Sequence, residues 1–89
     1  MLSLERWRKF SKRDQIGHIA AEIRRAGLVK DRNQIVFHQI LERAISLIDL
    51  SLADEKWQEN PRPMLVLRDE LSKIYIGETN NINQICAVL

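Results

Sequence analysis

The side chains best able to do chemistry in this sequence are two histidines, each followed four residues later by a glutamate. His18 and Glu22 close the stretch QIGHIAAE (15–22), and His38 and Glu42 close QIVFHQILE (34–42). On a helix, positions i and i+4 share a face, so each pair offers an ion pair or two metal ligands. Two such pairs on neighbouring helices would supply four ligands, as metal sites inside helical bundles do. A helical wheel at about 100° per residue opposes that arrangement. With the first helix centred on Ile16, Ile19 and Ile23, His18 points about 140° from the core and Glu22 about 100°. With the second centred on Phe37, Ile40 and Ala44, His38 lies about 110° away and Glu42 about 150°. Turning all four inward would expose Ile and Leu side chains at about 1.5–3 kcal/mol each, against a few tenths gained by each solvated pair. The wheel therefore predicts two solvated helix edges and no metal site within one chain. It leaves open a site shared across a dimer interface.

The helices that carry these pairs are legible from periodicity. Glycine and proline are scarce, and no segment alternates with the period of two that a half-buried strand needs. A short amphipathic turn opens the chain, with Leu4, Trp7 and Phe10 at three-residue spacing. Ser11 reads as an N-cap, with Asp14 three residues on. The first long helix then spans about residues 12–29, with Ile16, Ile19, Ala20, Ile23 and Ala26 as its stripe and Gly27 as C-cap or small-residue contact. Asp31, followed by Gln34, is the predicted cap of a second helix of about residues 32–53, and so short a connection makes the two antiparallel neighbours. Val36, Phe37, Ile40, Leu41, Ala44, Ile45, Leu47, Ile48 and Leu52 cover about 180° of that helix. An arc so wide implies a position between two other helices, or against a second subunit. DEKWQENPRP (54–63) reads as a loop, with Pro61 or Pro63 suited to the first turn of a third helix of about residues 62–76. Met64, Leu67, Leu71, Ile74 and Tyr75 share one face of it, and it stops at Gly77. The tail ETNNINQICAVL offers Thr79 or Asn80 as a cap and leaves open whether a last helix forms. The expected fold is all-α, an antiparallel up-down bundle of three long helices with short helical terminal segments, in a single domain over residues 1–89.

Composition narrows the function classes. A chain of 89 residues buries about 60–65% of the surface its unfolded form exposes, so self-association is a common way to complete such a core. The single Cys86 excludes an intramolecular disulfide and a multi-cysteine zinc site, and reads as a small hydrophobe. No apolar run reaches the roughly 18 residues of a membrane span, and MLSLERWRKF lacks the apolar core of a signal peptide. The expectation is a cytoplasmic protein with no cofactor. G-x-G-x-x-G, Walker, G-x-S-x-G and H-E-x-x-H signatures are all missing, which leans away from an enzyme.

The net charge is +2, yet residues 1–32 carry nine Lys/Arg against four acids, and the remainder is net acidic. Such asymmetry marks either an anionic partner or attraction between opposite ends of two subunits. RWRKFSKR (6–13) interleaves Trp7 and Phe10 with Arg6, Arg8, Lys9, Lys12 and Arg13. That suits base stacking beside phosphate contacts, and equally a short helix with its aromatics packed on the bundle. Glu22 and Arg25, with Arg43, Asp49 and Arg68, could join a polar network between helices that sets packing register.

Two resemblances add to this reading. DQIGHIAAEIRRA, LERAISLIDLSLADEKW and LVLRDEL together resemble a family of small bacterial helical proteins over roughly residues 14–77. That resemblance implies a compact helical fold and no particular mechanism. RDQIGH (13–18) and RNQIVFH (32–38) resemble the Arg-x(4–6)-His pattern of HEPN domains, helical and commonly dimeric, many of them ribonucleases. By that resemblance Arg32, Asn33 and His38 would act on RNA across a dimer interface, the Arg on phosphate and the His on protons.

The function expected from the sequence is association, with itself or with a protein partner, and no catalysis. Phe37, Ile40, Leu41, Ile45, Leu47 and Ile48 are its candidate interface, in a homodimer without membrane attachment. The alternative is an RNA-binding or RNA-cleaving homodimer that uses Arg32, Asn33, His38 and the basic segment of Arg6, Trp7, Arg8, Lys9, Lys12 and Arg13.

Overall fold

Capping side chains and two prolines decide where each helix begins. The computed structural model describes residues 2–79, 82 and 85. It forms α1 (Leu4–Trp7), α2 (Lys12–Val29), α3 (Gln34–Leu52), a 3-10 turn (Glu55–Trp57) and α4 (Arg62–Tyr75). The described residues contain no strand, and the fold class is all-α. Ser11 Oγ accepts the Asp14 N–H at 3.1 Å and so caps α2, as its spacing predicts. Pro61 is the N-cap of α4 and Pro63 lies in its first turn, where a missing N–H costs nothing.

The cap of α3 corrects the sequence reading. Asn33, not Asp31, accepts the Val36 N–H, at 3.1 Å. The N–H groups of Arg32 and Asn33 both still bond Val29 O at 3.0 Å, so Asp31 belongs to the turn that ends α2. Asn33 is the residue with extended backbone (φ −152°, ψ 99°), which an N-cap requires. The DEKWQENPRP stretch is also more ordered than a plain loop. Asp54 caps its 3-10 turn through the Lys56 N–H at 3.1 Å, and Trp57 is buried.

Two neighbours share the wide apolar arc of α3. Phe37, Ile40, Leu41, Ala44 and Ile48 are buried on it, together with Ile19, Ile23 and Ala26 of α2 and Met64, Leu71 and Ile74 of α4. Arg43 meets Glu22 on the α2 side, while Arg68 meets Asp49 and Tyr75 meets Glu42 on the α4 side. The order of these contacts runs α4 back along α3. Ile82 and Ile85 are helical, three residues apart and buried, and Ile85 lies beside Ile16 of α2 and Met64 and Leu67 of α4. The rest of the tail, with Cys86 and Asn80, lies outside the described residues. No described helix is long and apolar enough to cross a membrane.

Gly77 ends α4 with φ +84°. Its N–H bonds Ile74 O at 3.1 Å, and the Glu78 N–H bonds Lys73 O at 2.9 Å. This pair of bonds is a Schellman cap, which needs a left-handed residue just past the helix. A Cβ at Gly77 meets no neighbour, so the cost of adding one is purely conformational. Gly77→Ala should therefore lower stability by about 1–2 kcal/mol in urea unfolding, with an unchanged m-value.

Candidate functional site

Three buried polar side chains converge where α1, α2, α3 and the 3-10 turn meet. Gln15, Ser51 and Asp54 are 0%, 0% and 2% exposed, beside the buried indoles of Trp7 and Trp57. Gln15 Nε2 donates to Trp7 O and to Asp54 Oδ2, each at 2.9 Å, and Gln15 Oε1 accepts the Trp57 indole N–H at 2.7 Å. The Trp7 indole N–H donates to Ser51 Oγ at 2.9 Å, and Ser51 donates back to Leu47 O at 2.9 Å. Lys56 Nζ sits 2.9 Å from Asp54 Oδ2 and donates to Arg8 O at 2.7 Å. Every hydrogen bond of the Gln15 amide is to a group outside α2, so this one side chain ties α2 to α1 and the 3-10 turn. Burial by itself pushes the Asp54 carboxyl up. The hydrogen bonds from Gln15 and Lys56, with the Lys56 charge, outweigh that and hold it below its ordinary 3.8.

Sequence periodicity did not single out Gln15, Ser51 or Asp54. Asp54 read as the first residue of a loop. The available signal was the two tryptophans, because a buried indole N–H requires an acceptor.

The two His–Glu pairs occupy separate places and neither pair is hydrogen bonded to itself. His18 is exposed and packs edge-on to Phe10, with ring centroids 4.8 Å apart. Glu22 Oε1 accepts from Arg25 at 2.8 Å, and Arg43 Nε lies 3.7 Å from its Oε2. Asp49 and Arg68 form a separate pair at 2.6 Å, so the five network residues of the sequence reading divide into two groups. His38 Nδ1 lies 2.7 Å from Gln34 O. A carbonyl only accepts, so Nδ1 carries the hydrogen and Nε2 of the neutral ring is bare. Tyr75 packs on that imidazole at 5.1 Å and donates to Glu42 at 2.7 Å, which holds its phenol above the ordinary 10.0. His38 lines a concavity with Lys30, Asp31, Gln34, Tyr75 and Gly77. Among the described residues no three His, Cys, Asp or Glu side chains are grouped as metal ligands.

The other candidate residues are placed as follows. Arg32 is exposed in the turn before α3, and the Asn33 side chain is engaged as the cap. Trp7 is 1% exposed, with its N–H bonded to Ser51 and its ring packed within the bundle. Arg8 pairs with Glu55 at 3.7 Å, and Lys12 Nζ lies 4.9 Å from the centre of the Trp57 ring. Arg6, Lys9 and Arg13 are exposed and form no ion pair among the described residues. Of the candidate interface, Phe37, Ile40, Leu41 and Ile48 are already covered within the chain, while Ile45 and Leu47 remain half-buried. Comparison of the chain with protein-family models, curated proteins and solved structures finds no match.

Two outcomes test the role of the buried cluster. Gln15→Met keeps the volume but strands the Trp57 N–H and takes one hydrogen bond each from Trp7 O and Asp54, so it should cost about 2–3 kcal/mol, whereas Gln39→Met on the exposed face should stay within about 0.5 kcal/mol. Because the folded Asp54 carboxyl titrates below its unfolded value, its contribution is complete above about pH 4 and is lost as the pH falls through the lowered value. Chemical denaturation between pH 6 and pH 2, at about unit steps, should show that loss in the wild type and a flatter profile in Asp54→Asn.

Proposed function

We propose that this chain is a helical protein without catalytic activity that works by association, with a second copy of itself or with a protein partner. The observation that carries this reading is the apolar surface left on α3 after folding. Leu47 and Leu50 remain half-buried and, with Leu2, line an open groove beside Ser46, Glu22 and Arg43. Leu28, Ile35, Leu65, Val66 and Ile76 add exposed apolar area elsewhere. The reactive groups best placed for chemistry are engaged in holding the fold: Ser51 bridges Trp7 to Leu47, and Tyr75 is bonded to Glu42. In this reading it is a bacterial cytoplasmic homodimer. Sedimentation velocity over a dilution series should show a dimer whose share rises with concentration. A single monomeric species throughout would remove the self-associating form.

A second reading is the HEPN-like one, an RNA-binding or RNA-cleaving homodimer. It is favoured by the bare Nε2 of His38, a base in a concavity that Lys30 also lines, with Arg32 exposed in the adjoining turn. On this reading the protein binds labelled single-stranded RNA in a salt-sensitive way through Arg6, Lys9 and Arg13, since phosphate contacts release counterions. It also cleaves that RNA, and His38→Ala abolishes cleavage while the helical circular dichroism is retained. RNA left intact by the wild type rejects the cleaving role, and no binding at low salt rejects the reading as a whole.

A further inference from the structure

The geometry points to the furrow between α2 and α3 as a two-fold interface between two copies of this chain, with its axis at the Glu22–Arg43 pair. The inference rests on the association reading and names its surface. On α3, Val36, Arg43 and Leu50 are seven residues apart and so fall in one row. On α2, Glu22 and Val29 share a row in the same way. Arg43 Nε lies 3.7 Å from Glu22 Oε2, which brings the two rows together along one furrow. At about 1.5 Å per residue, Val36 and Leu50 stand about 10 Å to either side of Arg43. The furrow is therefore apolar at both ends, with half-buried Val29 and Val36 at one and Leu2, Leu47 and Leu50 at the other, and charged in the middle.

A surface with that order is complementary to itself under a half-turn, which is what an isologous contact requires. Rotation about the charged centre lays Leu2, Leu47 and Leu50 of each copy on Val29 and Val36 of the other. It also sets the two Glu22 carboxylates and the two Arg43 guanidiniums in alternation, with each Arg25 held on its own Glu22 at 2.8 Å. The Glu22–Arg43 pair is loosely made within one chain, at 3.7 Å. Among the described residues nothing donates a hydrogen bond to Glu22 Oε2, while the Arg43 side chain is 60% exposed. The Arg43 side chain is thus free to reach a carboxylate of the second copy, which its fork of N–H donors suits. Ser46, also lining the groove, is short enough to let two helices approach closely.

Charge inversion tests the placement of the axis on the full chain. Arg43→Glu gathers four carboxylates at the axis, and Glu22→Arg leaves only guanidiniums there, those of residues 22, 25 and 43. Each should raise the dimer dissociation constant by about a hundredfold or more in sedimentation equilibrium. Mixed in equal amounts, the two variants should form a heterodimer, because every contact across the axis then joins opposite charges. Circular dichroism checks that each variant is folded, and Leu50→Lys, on the flank of the furrow, should weaken the dimer similarly if a charge variant is not. A wild type that never dimerises overturns both this inference and the self-association reading. A wild-type dimer that persists in Arg43→Glu, Glu22→Arg and Leu50→Lys leaves association standing and overturns this surface. Folded variants that stay monomeric when mixed overturn the two-fold axis at Glu22 and Arg43.

Discussion

The Gln15 side-chain amide is the constraint on which most of the remaining structure depends. Its two hydrogen-bonding ends reach Trp7 O, Asp54 and Trp57, groups on two separate stretches of chain. A fully buried amide has no water to fall back on, so each of those partners must arrive together. α1 is only four residues long and could not persist as an isolated helix. The Trp7 indole and carbonyl hold it in place, one on Ser51 of α3 and the other on Gln15 of α2. The same cluster orders residues 54–57, which then deliver the chain to the two prolines that start α4.

The hydrophobic part of the fold is less selective. α3 is apolar over half its circumference and meets α2 and α4 on adjoining sides. Apolar packing of this kind tolerates small rotations of one helix against another. The polar cluster tolerates few, because hydrogen bonds fail within a few tenths of an ångström and some tens of degrees. The ion pairs at the surface, Arg68–Asp49 above all, add direction at little energy. Together they leave one flank of α3 without a neighbouring helix among the described residues, and that flank is where association is proposed.

The histidines illustrate how local spacing and tertiary contact divide the work. Wheel geometry kept both out of the core, and both lie at the edges of their helices. It did not show that His18 would join Phe10 and Trp7, or that His38 would lie against Tyr75 of α4. Those contacts link residues on separate helices or on the terminal segment. They decide that Glu42 pairs with a phenol and Glu22 with two arginines, each ahead of its own histidine.

The three long helices, their ends to within two residues and the apolar stripes they bury were written in the sequence, because periodicity, caps and proline act over a few neighbouring residues. The 12–29 helix with its Ser11 cap and the stop at Gly77 are such features. The cap of α3 was misplaced at Asp31, since Asp and Asn can both cap and the backbone conformation that selects Asn33 is not written in residue type. Gln15, Ser51, Asp54 and Trp57 were not legible as a unit. They lie up to 42 residues apart, and only the packing of α1, α2, α3 and the 3-10 turn makes them neighbours. The tertiary structure alone also decided which part of the wide apolar arc of α3 stays open. Burial of Phe37, Ile40, Leu41 and Ile48 depends on which sides α2 and α4 take, a choice that no local pattern encodes.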